Sequence, residues 1–159
     1  MAAVVVLVVG FGAGAVLGQL DPPRAARLVV AEFTTTEDGP ADAPGPDPQL
    51  PVTGPQRGVP TCGWIEGPLG PAEQVATLAA GVVLIQHAGD PTQAEGARLR
   101  DLADRDRVAV APSPALPDGA RVVATSWRRR MPLERVDAGL LDAFVTGHAD
   151  RAPALAPCP

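Results

Sequence analysis

The stretch that decides the fold is Gly81-Val82-Val83-Leu84-Ile85-Gln86-His87, followed after Ala88-Gly89 by Asp90-Pro91-Thr92-Gln93. A continuous apolar run of strand length, bounded by glycines at 81 and 89, reads as a central strand covered on both sides. Asp90 then offers an N-cap, Pro91 fits a first helical position and Gln93 completes a start resembling a capping box. The helix runs to about Arg105, with Ala94, Ala97 or Arg98, Leu102 and Arg105 three or four residues apart.

The elements downstream extend this pattern. Val108-Ala109-Val110-Ala111 is a second short strand, ended by Pro112 and Pro114. Asp118-Gly119 marks a turn before Arg121–Trp127, a third strand. Asp137 caps a last helix whose Leu140, Leu141, Phe144 and Val145 form one apolar stripe. The second half is thus β-α-β-β-α, and the expected fold class is α/β, a small two-layer sandwich over residues 61–159. From Cys62 to Ala149 there are 24 Leu, Ile, Val, Phe, Met or Trp residues, enough for one modest core.

Residues 21–60 are expected to be an acidic Pro/Gly-rich linker, since runs such as Ala43-Pro44-Gly45-Pro46-Asp47-Pro48 bury no apolar surface. The chain's net charge of −5 is concentrated there: residues 21–50 carry six acids against two Arg, and residues 51–159 are almost neutral. All thirteen basic residues are Arg, and the overall acidity argues against a nucleic-acid partner.

Residues 1–20 are read as a transmembrane anchor. Ala2–Leu20 carries no charge, and nineteen helical residues span about 28 Å against a bilayer core of roughly 30 Å. The expectation is a single-pass bacterial membrane protein that meets lipid through residues 2–20, with its C-terminal domain extracytoplasmic. Arg24 and Arg27 follow the apolar run and nothing basic precedes it, which by itself predicts the opposite orientation. The extracytoplasmic reading therefore expects a basic segment upstream of Met1. A rival reading makes Val4–Val9 a strand, Gly10, Gly12 and Ala15 a G-x-G-x-x-A turn and Arg27–Glu32 the next strand, giving a soluble dinucleotide-binding protein with Glu32 on the ribose. Asp21-Pro22-Pro23 would leave that unit a very short crossover helix, so the anchor is preferred.

Several motifs resemble the bacterial domain of unknown function 3105 family. They are Pro51–Gln56, Cys62-Gly63-Trp64, Gln74–Gly81 leading into Val82-Val83-Leu84, Ala124-Thr125-Ser126-Trp127 and the closing Ala156-Pro157-Cys158-Pro159. The resemblance implies a membrane helix, a polar linker and a compact extracytoplasmic domain. It also implies a set of His and Glu residues near the central strand, and this chain departs from that pattern. Gln56, Ala76 and Ala80 stand at the three His positions and Ala79 at the Glu position. Three imidazoles and a carboxylate would make a metal or acid–base site; without them the reading is a non-catalytic relative with a binding or structural role. No metal, cofactor or catalytic residue is assigned, and the alternative is an enzyme of unassigned chemistry.

The remaining chemistry-bearing residues are few. Cys62 and Cys158 have no metal or C-x-x-C spacing; in an oxidising compartment they pair, and in a cytosolic protein they are free thiols. His87 and His148 end a strand and a helix and read as polar edge residues, with a shared metal the less favoured alternative. Arg128-Arg129-Arg130 reads as a hairpin rim rather than a phosphate or lipid-headgroup site. Ser113 and Ser126 lack a nucleophile turn. Trp64 and Trp127 are expected in the core.

Overall fold

The computed structural model describes residues 31–32, 51, 54 and 58–158. The expected anchor, the glycine turn and most of the linker lie outside these residues. No helix among the described residues is long and apolar enough to cross a membrane.

The described residues form one mixed sheet with three helices. Strands β1 (Ala31–Glu32), β2 (Gly63–Trp64), β3 (Val83–Ala88), β4 (Val108–Ser113), β5 (Val122–Ser126) and β6 (Arg129–Leu133) lie in the order β1-β6-β5-β3-β4-β2. Strand β3 is central as expected. It runs parallel to β4, with Ile85 opposite Val110, and antiparallel to β5, with Ile85 opposite Ala124. Strand β2 is parallel to the far side of β4, placing Trp64 opposite Val110. At the other edge β1 pairs antiparallel with β6. The Ala31–Glu32 strand therefore interrupts the expected linker, and its antiparallel pairing is not that of a strand in a parallel βαβ unit.

The two-layer expectation is corrected to a sheet covered on both faces. Alternation along β3 and β4 sends Val83, Ile85, Val108 and Val110 toward α2 (Gln93–Ala103) and α3 (Ala138–His148), where Leu99, Leu102, Leu141 and Phe144 complete the larger core. Leu84, Ala109 and Ala111 face the opposite way, toward Leu78 of α1 (Pro71–Ala79) and the C-terminal tail. Besides the two-residue strands β1 and β2, two longer elements were not expected. Helix α1 buries six consecutive residues, Gln74 to Ala79, because it is wedged between sheet and tail and has no solvent stripe. Strand β6 follows a tight turn at Trp127-Arg128, where Arg128 adopts φ +64°, so the second half is β-α-β-β-β-α.

The cap of α2 also differs from expectation. Thr92, not Asp90, is the N-cap: its hydroxyl accepts from Glu95 N, and the Glu95 carboxylate accepts from Thr92 N at 2.9 Å. A β-hydroxyl with Glu three residues on closes both donors reciprocally, which Asp90 with Gln93 does not do here. Asp137 caps α3 as expected, accepting from Leu140 N at 3.1 Å.

The tail returns across the start of β3. Asp150 N, Ala154 N and Ala156 N donate to the carbonyls of Gly81, Ala79 and Ala80. Arg107 Nη1 donates to the carbonyls of both Ala80 and Ala156 at 3.0 Å, and its guanidinium pairs with Asp150. Cys158 is bonded to Cys62, with their Cα atoms 5.7 Å apart, and both sit among Ile65, Leu69, Trp127 and Ala156 over the α1 face.

Candidate functional site: a cleft at the ends of the parallel strands

Where β3 and β4 end, the chain opens into a cleft of about 330 Å³ bordered by β2 and the first turns of α2. Crevices beyond the carboxyl ends of parallel strands are the usual ligand position in open α/β sheets, because strand ends and helix starts there present side chains and unpaired amides together. His87 comes from the end of β3, Pro112 from β4 and Trp64 from β2, while Thr92, Gln93, Gly96 and Arg100 come from α2. Alternation places His87 on the same face as Val83 and Ile85, the face that α2 covers.

His87 is the buried centre of this site, with 5% of its surface exposed. Gly89 adopts φ +52°, a left-handed turn favoured by glycine, and its carbonyl lies 3.0 Å from His87 Nδ1. A carbonyl only accepts, so Nδ1 carries the proton and Nε2 presents a lone pair in the neutral ring. Nε2 is buried and without a hydrogen-bond partner. The imidazole stacks on the Trp64 indole, with centroids 5.8 Å apart and planes 18° from parallel. Trp64 Nε1, a donor only, is likewise buried and unpartnered. The Arg100 guanidinium lies 4.6 Å from the Trp64 ring centroid, a cation–π contact.

Charge around the opening is mixed. Glu66 and Asp90 border it with Arg100. Behind them, Arg121 Nη2 donates to the Asp90 carbonyl at 3.1 Å and stands 4.0 Å from Glu95. The Thr92 backbone N–H, then its hydroxyl, then Arg121 and Arg98 hold the Glu95 carboxyl below its ordinary 4.5. The first turn of α2 thus already carries an ionised carboxylate.

The other residues singled out in the sequence are not brought here. His148 closes α3, edge-on to Phe144 with centroids 4.6 Å apart, and is not part of the cleft. Arg129 and Arg130 open β6, where they pair with the backbone of β1. Ser113 donates its hydroxyl to the Ala115 carbonyl at 2.9 Å. No group of three or more His, Cys, Asp or Glu among the described residues could hold a metal ion. Gln56 lies outside the described residues, while Ala76, Ala79 and Ala80 are buried in helix-to-tail packing at 6%, 2% and 3% exposure.

Trp64 is half-buried and packs against the larger core, so its expected core role holds in part, but it also lines the cleft and its N–H is left without a partner. His87 is a buried stacking partner rather than an edge residue. The signal was present: a polar residue closing an apolar strand, followed at once by a helix cap, marks a strand-end site. Its partner Trp64 was not readable, because it arrives through a two-residue strand that pairs with β4.

The model of a family described as "Protein of unknown function (DUF3105)" matches residues 47–159, and the chain belongs to that family. No curated protein and no solved structure matches the chain.

Proposed function

We propose that this member of the DUF3105 family is a membrane-anchored, extracytoplasmic domain that works by binding rather than by catalysis. The observation that carries the reading is the Cys62–Cys158 bond. Disulfides persist in oxidising compartments and are rare where thiols are kept reduced. This one pins a C-terminal tail whose other attachments are three backbone hydrogen bonds and the Arg107 contacts. The uncharged run Ala2–Leu20 supplies a segment of membrane-spanning length ahead of it.

The binding role is supported by where polar groups are left. The helix-and-tail face is filled by Ala76, Ala79, Ala80 and Leu78. In the cleft, by contrast, His87 Nε2 and Trp64 Nε1 are buried without a partner on two residues that line the same opening, whereas Thr125 Oγ1 and Ser126 Oγ, also buried without a partner, line no part of it.

Fractionation with thiol labelling tests the proposal. Cells expressing the full chain are separated into membrane and soluble fractions, and the protein is alkylated under denaturing conditions with and without prior reduction. The expected result is protein in the membrane fraction that gains two labels only after reduction. Soluble protein whose two thiols label without reduction overturns it.

A further inference from the structure

We infer that the cleft at the ends of β3 and β4 takes an uncharged, hydroxyl-rich ligand, a sugar or related polyol, hydrogen-bonded by His87 Nε2 and Trp64 Nε1. The inference names the ligand class for the binding role proposed above and rests on that role.

The buried atoms set the chemistry. His87 offers an acceptor, because Gly89 holds the proton on Nδ1, and Trp64 offers a donor; both are buried and unpartnered. A hydroxyl group both donates and accepts, so hydroxyls suit both orphaned atoms, the acceptor and the donor alike. Around them, Glu66, Asp90, Gln93 and Arg100 are planar two-pronged groups, the shape that engages pairs of adjacent hydroxyls. The volume of about 330 Å³ lies near the small end of the range for ligand pockets, roughly 300–1,000 Å³, and suits a single sugar ring or the end of a longer chain.

Other classes fit less well. An oxyanion at the start of α2 would meet the carboxylates of Glu66 and Asp90 as well as that of Glu95, which Thr92 and Arg121 keep ionised. A metal ion lacks ligands, and a cation meets Arg100. A flat aromatic ligand lacks a platform, since the Trp64 ring is already stacked on His87 and covered by Arg100. Arg100 is exposed and has no carboxylate partner among the described residues, so it is free to move aside as a hydroxyl reaches the two nitrogens. Gly96 keeps the floor open: a Cβ there would stand 3.4 Å from Arg100 Nη1 and 3.7 Å from Pro91 Cγ.

The chain has two tryptophans, so its indole N–H spectrum has two signals, and that makes the test direct. The ¹⁵N-labelled full chain in lipid nanodiscs is titrated with D-glucose, N-acetyl-D-glucosamine and trehalose, and separately with sodium phosphate and acetamide. At least one sugar is expected to move the Trp64 indole signal and the His87 Nε2 resonance saturably, leaving Trp127 in place. Trp64→Phe removes the donor and should weaken that sugar about tenfold, read at His87. Gly96→Ala, which keeps the fold at or above its thermal midpoint, should weaken it too. A Trp64 signal that ignores all three sugars overturns the inference, as does one that answers to phosphate or acetamide alone. Those results concern the ligand only; free thiols in the labelling experiment strike the extracytoplasmic reading, whatever the sugars do.

Discussion

Breaking the Cys62–Cys158 bond should cost the domain a large part of its stability. The bond closes a loop of 96 residues, and the chain-entropy relation for a loop near that length gives about 4.7 kcal/mol. Native strain and residual structure in the unfolded chain lower such figures, so the expected loss is about 3–5 kcal/mol. Small domains have only about 5–15 kcal/mol in all. For roughly 100 ordered residues the loss corresponds to a drop of about 15–25 °C in Tm. The double variant Cys62→Ser/Cys158→Ser, compared with the parent by guanidinium and thermal unfolding, measures it, and reductant on the parent gives an independent arm. If the effect acts on the unfolded chain, the tail still docks in the variant, and the amides of Ala154 and Ala156, bonded to the Ala79 and Ala80 carbonyls, keep hydrogen-exchange protection in proportion to global stability. A loss below about 1 kcal/mol with an unchanged denaturant slope would refute the reasoning. Selective loss of protection at those two amides would refute its entropic half, because the bond would then be holding the native tail in place.

Four further outcomes follow from single positions. The Glu95 carboxyl is held below 4.5, so its contribution is present above the unfolded value and lost as pH falls through the lower folded one; Glu95→Gln should flatten the acid limb of the stability–pH curve, and Thr92→Ala should cost about 0.5–2 kcal/mol by urea unfolding. Gly81 sits at φ +88°, and a Cβ there would lie 2.6 Å from Leu155 Cδ2 and 3.3 Å from Asp150 Cα, so Gly81→Ala should destabilise by about 1–3 kcal/mol and loosen the tail, a change that limited proteolysis after Arg151 reads directly. Gly96→Ala, at an ordinary helical position with only van der Waals contacts to gain, should raise stability by up to about 1 kcal/mol in the same unfolding assay.

What the sequence discloses depends on whether an element is shaped by its own residues or by its neighbours. Strand β3 is legible because a buried central strand must be apolar throughout, and α3 because Asp137 and the Leu140–Val145 stripe are local signals. Helix α1 is hidden because its apolar stripe, Val75, Leu78 and Ala79, is short and the polar Gln74 and Thr77 are buried beside it, and its start is Gly70 with Glu73 instead of a hydroxyl cap. Strand β6 is hidden behind Arg-Arg-Met-Pro-Leu. It tolerates Pro132 as an outer strand, since β1 pairs only with Arg129 and Arg130. The cleft was half legible. His87 and the α2 cap are adjacent in the chain, whereas Trp64 reaches them only because β2 and β3 flank β4 on its two sides, a strand order that no local pattern encodes.

The face that the sequence marks by its missing histidines is closed in the structure, and the closure itself is testable. Ala76, Ala79 and Ala80 are all buried. The Ala76 methyl lies 3.5 Å from where a Gly58 Cβ would stand, and the carbonyls of Ala79 and Ala80 anchor the tail. Small side chains are what let the tail approach α1 this closely, so imidazole or carboxylate groups there would be both oversized and without partners. Ala76→His/Ala79→Glu/Ala80→His, which restores the family pattern at three positions, should therefore lose several kcal/mol and release the tail as far as the disulfide allows, seen as a lowered Tm and lost amide protection at Ala154 and Ala156. If the triple variant instead keeps its stability and takes up zinc, that face is an emptied site waiting for its ligands rather than a packed one. The case for placing binding at the opposite, strand-end cleft would then lose its main contrast.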